Sequence, residues 1–146
     1  MTNGELQFWV PGIPQPGGSK KGFYNPKLGR VILSDANEKV KPGRASVAQA
    51  AQEATQTIFE GPLRVRFQFC FTRPKGHFGK GRNANVLLKS APPYPSVKPD
   101  ATKLVRSTED ALKGILWRDD SQIVTQGASK RYADQAGAWI TVRVED

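Results

Sequence analysis

A mixed β-sheet with two main helices packed on it, an α+β or α/β two-layer sandwich, is the fold class this sequence predicts. Three observations carry the prediction. The stretch "LRVRFQFCF" (63–71) alternates apolar and polar residues, the period of a strand buried on one side. Residues around 103–113 repeat apolar groups at helical spacing. Other strand-like runs flank two helical segments, an order that layers helices on a sheet. The 146 residues suit one domain, 1–146, long enough to bury a core without disulfides.

The elements follow in order. "ELQFWV" (5–10) is rich in aromatic and branched residues and reads as a first strand. The prolines and glycines of "PGIPQPGGSKKG" (11–22) exclude regular structure and mark an ordered loop. "RVILS" (30–34) is a short second strand. After Gly43, Val47, Ala50, Ala51, Ala54 and Ile58 recur at helical spacing, and Gly61-Pro62 stops that helix. Strand 63–71 comes next, then residues 72–99, a length of loop that is usually functional or disordered. In the second helix, Leu104, Thr108, Ala111 and Ile115 form the packing stripe, with Val105 and Leu112 beside it. Thr102 is its expected N-cap and Gly114 its closing C′ glycine. Two strands, about 121–131 and 138–145, complete the chain.

Composition narrows the function. A formal charge of +9 favours a polyanionic partner, nucleic acid first and an anionic membrane surface second. No apolar run approaches the ~18 residues that span a bilayer, and the N-terminus lacks the pattern of a signal peptide. Cys70 is the only cysteine, so no internal disulfide forms; a cytoplasmic protein is expected. From Gly61 to Pro99 there is no acid, while Arg64, Arg66, Arg73, Lys75, Lys80, Arg82, Lys89 and Lys98 are cationic. Such a run fits phosphate contacts. Within it Phe78 either stacks on bases or pins the loop to the protein. "GGSKKG" (17–22) lacks the spacing of a phosphate-binding P-loop, so no nucleotide cofactor is expected. Lys20 and Lys21 then touch DNA backbone or nothing. One histidine, His77, and one cysteine are too few for a zinc site or for nucleophilic catalysis.

Acids are scarce, and their placement is therefore informative. Asp100 follows Pro99 at the mouth of the second helix, and Asp119 and Asp120 lie a few residues past its end. Eleven helical residues rise ~16 Å, and the six residues 115–120, if extended, span up to ~20 Å. The chain can thus return and bring Asp119 and Asp120 level with Asp100. Three carboxylates there would suit Mg²⁺. The plainer alternative is that Asp100 complements the helix N-terminus and "RDD" is a solvated turn.

Residues 98–132 resemble the RusA family of Holliday-junction resolvases. The family pattern runs roughly K-P-D-x-D-[NK]-L-x-[KR]-x-x-x-D-A-L-x-G, then W-x-D-D-x-Q-[VI]-V and a late K-[RK]. "KPDATKLVRSTEDALKG" (98–114), "WRDDSQIV" (117–124) and Lys130-Arg131 follow it, and "PGIPQPGGSKKG" and "FTRPKGH" are similar to the family's N-terminal half. The resemblance implies a RusA-like fold and a Mg²⁺-dependent endodeoxyribonuclease, with Mn²⁺ able to substitute. Such an enzyme acts as a homodimer on a four-way junction in recombination and repair, in a bacterial host or phage-infected cell. It implies Asp100 and Asp120 as metal-binding carboxylates, with Asp119 beside them, and Arg106 where the family often has a catalytic lysine. Lys98, Lys130 and Arg131 join the DNA-binding set. The family's second acid is missing: Thr102 stands there. Either the metal site is weaker or Glu109 has taken over, a residue whose plainer role is an ion pair with Lys113. A branched-DNA-binding relative without efficient cleavage is the alternative function, and a basic RNA-binding protein a third.

Overall fold

The computed structural model describes residues 4–17, 20–35 and 39–145, except the side chains of Lys20, Lys21, Phe23, residues 33–35 and Val40. In chain order the elements are β1 (Glu5–Pro11), β2 (Lys20–Asn25), β3 (Arg30–Asp35), α1 (Val40–Ala54), β4 (Leu63–Phe71), α2 (Ala101–Leu112), β5 (Ile123–Tyr132) and β6 (Gly137–Val144). Short 3₁₀ turns occupy Lys75–His77, Gly81–Asn83 and Asp120–Gln122. Strands β1, β6, β4 and β5 form one sheet in that order, and β2 and β3 form a separate ribbon. β6 runs antiparallel to both β1 and β4, whereas β4 and β5 are parallel. The sheet is therefore mixed, with two helices packed on it, the class the sequence predicts.

The alternation of β4 decides which face is buried. Leu63, Val65, Phe67 and Phe69 are buried on the helix side. Register extends that layer sideways, pairing Phe67 with Ile140 and Val65 with Val142, and Ile140 in turn with Phe8. α2 lowers Leu104, Val105, Ala111 and Leu112 onto it, and α1 adds Ala51 with Val47 and Ala50 at its margin. Each large side chain so buried contributes about 1.5–3 kcal/mol. Thr108 sits in the same interface, its hydroxyl donating to the Leu104 carbonyl at 2.8 Å, so burial leaves it no unmet hydrogen bond.

Several boundaries differ from expectation. Residues 20–22, expected as the end of the loop 11–22, open β2, because β3 supplies a partner strand; pairing overrides the weak propensity of "KKGFYN". α1 begins at Val40, earlier than expected, with Pro42 in the first turn, where a missing N–H breaks no intrahelical bond. It stops at Ala54, since Thr55 is extended at φ −159°, so Ile58 lies beyond it. The N-cap of α2 is Asp100, not Thr102, and its carboxylate makes no capping hydrogen bond. Gly114 does adopt the left-handed conformation expected after the helix, at φ 86°. The long segment 72–99 is ordered by its own backbone: Gly79 N–H bonds to Val86 O at 3.0 Å, Leu88 N–H to His77 O at 2.9 Å, and Phe78 bridges to Leu87. No helix among the described residues is long and apolar enough to cross a membrane.

Candidate active site

The apolar stripe of α2 faces the sheet, which turns Thr102, Arg106 and Glu109 together toward another side at spacing i, i+4, i+7. Glu109 is half-buried there against β5. Gln126, whose register partner is Val65, donates its side-chain N–H to Glu109 Oε2.

Beyond α2 the chain turns sharply. Leu116 N–H bonds back to Leu112 O at 3.0 Å, and Gly114 N–H to Trp117 O at 2.6 Å. The turn drives Trp117 fully into the core, and its indole N–H donates to Asp120 Oδ1 at 2.8 Å. One oxygen of Asp120 is thereby fixed, and the other meets no hydrogen-bond donor among the described residues. Asp119 does a different job. Its Oδ1 accepts from Ser121 N–H at 2.9 Å and caps the 3₁₀ turn. That backbone contact holds its carboxyl below the usual carboxylate range. Gln122 ties the turn to the chain before β4: its amide N–H groups donate to Phe59 O and Gly61 O at 3.1 and 3.0 Å. Its carbonyl accepts from Arg118 and Asp119 N–H at 2.8 and 3.1 Å.

Glu109 carries the electrostatic strain of the site. Burial pushes its carboxyl above the usual range, the Asp120 charge pushes it further, the Gln126 bond lowers it, and Asp110 adds a smaller upward push. It also lies in the last turn of α2, where the helix dipole disfavours a negative charge. The raised folded-state pKa fixes the sign of a test. Ionising Glu109 costs the fold, a cost absent below the unfolded carboxylate range near pH ~4.3 and fully present above the raised value. Glu109→Gln should therefore melt slightly higher than wild type at neutral pH, and the difference should vanish near pH ~4. A variant that melts below wild type at neutral pH would show that ionised Glu109 does not cost the fold.

The structure does not gather all the acids in one chain. Asp100 sits at the N-terminal mouth of α2, and Glu109 is nine residues along it, ~13.5 Å of rise away. The Asp120 charge is felt at Glu109, toward the C-terminal end of α2. The return that sequence reasoning assigned to residues 115–120 is made instead by β5, because the Gly114 turn folds the chain back on the helix end. Lys113 is not the partner of Glu109; it ends the helix, with its N–H on Glu109 O. Among the described residues, no group of three or more His, Cys, Asp or Glu is placed to hold a metal.

The cations divide by role. Lys130 donates to Val97 O and Pro99 O at 2.7 and 2.9 Å, fixing the chain that enters α2. Arg131, next in the strand, points to the opposite sheet face and is exposed. Arg73 donates to Pro92 O at 2.7 Å and lies over the Tyr132 ring at 4.4 Å, which leaves it little freedom to follow a phosphate. Arg64 is bound to Glu145 by two bonds, of 2.9 and 3.0 Å. Lys75, Lys80, Arg82, Lys98 and Arg106 are exposed, and Phe78 is half-buried. Lys20 and Lys21 open β2, but their side chains lie outside the described residues. Sequence reasoning missed the positioning roles of Gln122 and Gln126. Gln122 did fall within the matched "WRDDSQIV", and Gln126 carried no signal beyond its place in a strand.

A family model described as endodeoxyribonuclease RusA matches residues 14–144. An uncharacterized protein of Bacillus subtilis (strain 168), YqaN, is 25% identical over 138 residues, covering 94% of this chain and 95% of its own.

Proposed function

Because this chain belongs to the RusA endodeoxyribonuclease family, we propose that it is a Mg²⁺-dependent nuclease that resolves four-way DNA junctions as a homodimer, by paired symmetric nicks in recombination and repair. The observation that carries the reading is that the Asp120 charge acts on half-buried Glu109, which lies one helical turn from Arg106. Two neighbouring carboxylates with a raised pKa between them suit a hard dication, which typically takes one or two carboxylates and completes its shell with waters and phosphate oxygens. Glu109 and Asp120 would hold it. Bound there, Mg²⁺ supplies Lewis-acid polarisation of the phosphate and a more acidic water.

The protein's own groups do the rest. The Trp117 indole N–H orients Asp120, and Gln126 orients Glu109, the kind of outer-shell support that sets ligand direction. The Arg106 guanidinium offsets the charge that grows on the scissile phosphate. Thr102 leaves the N-terminal part of this stripe neutral, which is consistent with a ligand set moved along α2 to Glu109.

The homodimer has a geometric use. A two-fold axis crossing α2 sets the N-terminal end of one helix beside the C-terminal end of the other. The partner's Asp100 would then complete the acids around Glu109 and Asp120. Chains carrying Asp100→Asn and Asp120→Asn should each be inactive alone, and their mixture should regain nicking, because every mixed dimer holds one complete site. If mixed dimers form and stay inactive, Asp100 serves its own chain.

The whole reading is tested with a labelled four-way junction. Symmetric nicks with Mg²⁺ and none with chelator are expected. Tight junction binding without nicks under any divalent metal would favour the second reading, a branched-DNA-binding relative, for which Thr102 is the specific observation.

A further inference from the structure

The sheet face turned away from the helices holds a second assembly, of aromatic and cationic groups. Register places Trp9 of β1 opposite Trp139 of β6, and on the same face Arg66 and Cys70 of β4 and Arg131 of β5. Among the described elements, no helix covers this face. Trp139 is 41% exposed, and its ring lies 5.1 Å from that of Trp9, inclined at 55°.

The backbone is adapted to this arrangement. A Cβ on Gly137 would lie 2.2 Å from Trp9 Cζ2 and 2.5 Å from Cη2, so the indole rests across β6 where only glycine admits it. A hollow lined by Trp9, Gln68, Cys70, Arg131 and Trp139 runs along the face. It continues past Tyr132 into a second hollow, which shares Arg131 and reaches Arg73, Phe78 and Tyr94. Charge on the face is mostly positive. Arg66, Arg131 and Arg143 stand against Glu5 and, on the rim, Asp134, while Glu145 is already bound to Arg64.

We propose that this face binds an unpaired DNA strand, with bases stacking on the Trp139–Trp9 pair and phosphates meeting Arg131 and Arg66. Duplex DNA hides its base faces within the stack, so indoles on an open sheet find partners only in unstacked bases. A second copy of the chain is a poorer occupant, since a two-fold contact here would press two faces of the same net positive charge together. The face lies across the sheet from Glu109 and Asp120. A strand seated on it is therefore held apart from the acids of the same chain, which suits a junction with locally opened arms.

The test uses the full chain and a labelled oligothymidylate of about ten nucleotides, within the usual site size for such grooves. Fluorescence anisotropy reads the affinity, and quenching of tryptophan emission reads the stacking. Trp139→Ala should weaken binding about tenfold, the loss of one stack. Arg131→Ala, an exposed change that leaves the core intact, should weaken it and lower the salt slope by about one. Gly137→Ala, which displaces Trp9, should reduce the quenching. A same-length duplex should bind more weakly and quench little. Equal affinity of wild type and both Trp139→Ala and Arg131→Ala for the oligothymidylate would overturn the proposal. So would a Trp139→Ala chain whose sedimentation shows a lost dimer, which would assign the face to a second copy.

Discussion

Asp120→Asn should leave junction binding near wild type and reduce nicking by at least ~100-fold. An outer-shell partner of a metal ligand already contributes up to about that factor, and a ligand contributes no less. The substitution keeps an oxygen to accept the Trp117 N–H at Asp120 Oδ1, so the turn from Gly114 to Gln122 should hold its shape. It removes one of the two charges proposed to hold a dication. Gel retardation on a four-way junction with chelator present separates the two effects. Nicking within a few-fold of wild type would mean that the acids at this end of α2 are structural and that the cation binds elsewhere.

The second large effect concerns Trp117. Its indole is fully buried and also directs Asp120. Trp117→Ala should cost about 3–5 kcal/mol, the range for emptying a large aromatic site. That is a large share of the 5–15 kcal/mol typical of a folded domain, so part of the chain should be unfolded under mild denaturant. Trp117→Phe isolates the hydrogen bond. It keeps much of the buried ring and removes the N–H, so urea unfolding should show a smaller loss while Mg²⁺-dependent nicking falls well beyond what the folded fraction explains. A Phe variant that nicks in proportion to its folded fraction would reduce Trp117 to packing alone.

These two residues also show how much was legible beforehand. The strict alternation of Leu63–Phe71 and the stripe from Leu104 to Leu112 led directly to β4 and α2, because burial on one face leaves a periodic trace. β2 left no such trace, since its stability comes from pairing with β3 and not from "KKGFYN" itself. Asp120 was found through the placement of the few acids, and Trp117 and Gln122 through resemblance. Their arrangement was not, because chain reach sets only an upper limit on separation. Six residues that can span ~20 Å can equally well turn in place, and a left-handed Gly114 makes them do so. The parallel pairing of β4 with β5 was equally invisible, for no local pattern distinguishes a parallel edge strand from an antiparallel one.

The position of β6 has a consequence for how the protein is made. The last strand in sequence lies inside the sheet, between β1 and β4, so Glu5 waits for Arg143 and Phe67 for Ile140. Contacts so distant in sequence are slow to close, and during translation they cannot close until residues 137–144 have left the ribosome. A nascent chain that stops before Gly137 can form β2–β3 and the helices but has no template joining β1 to β4. Such a chain offers exposed strand edges to aggregation and no firm floor beneath α2. The arrangement around Glu109 and Asp120 therefore forms late and all at once, with the closing of the sheet.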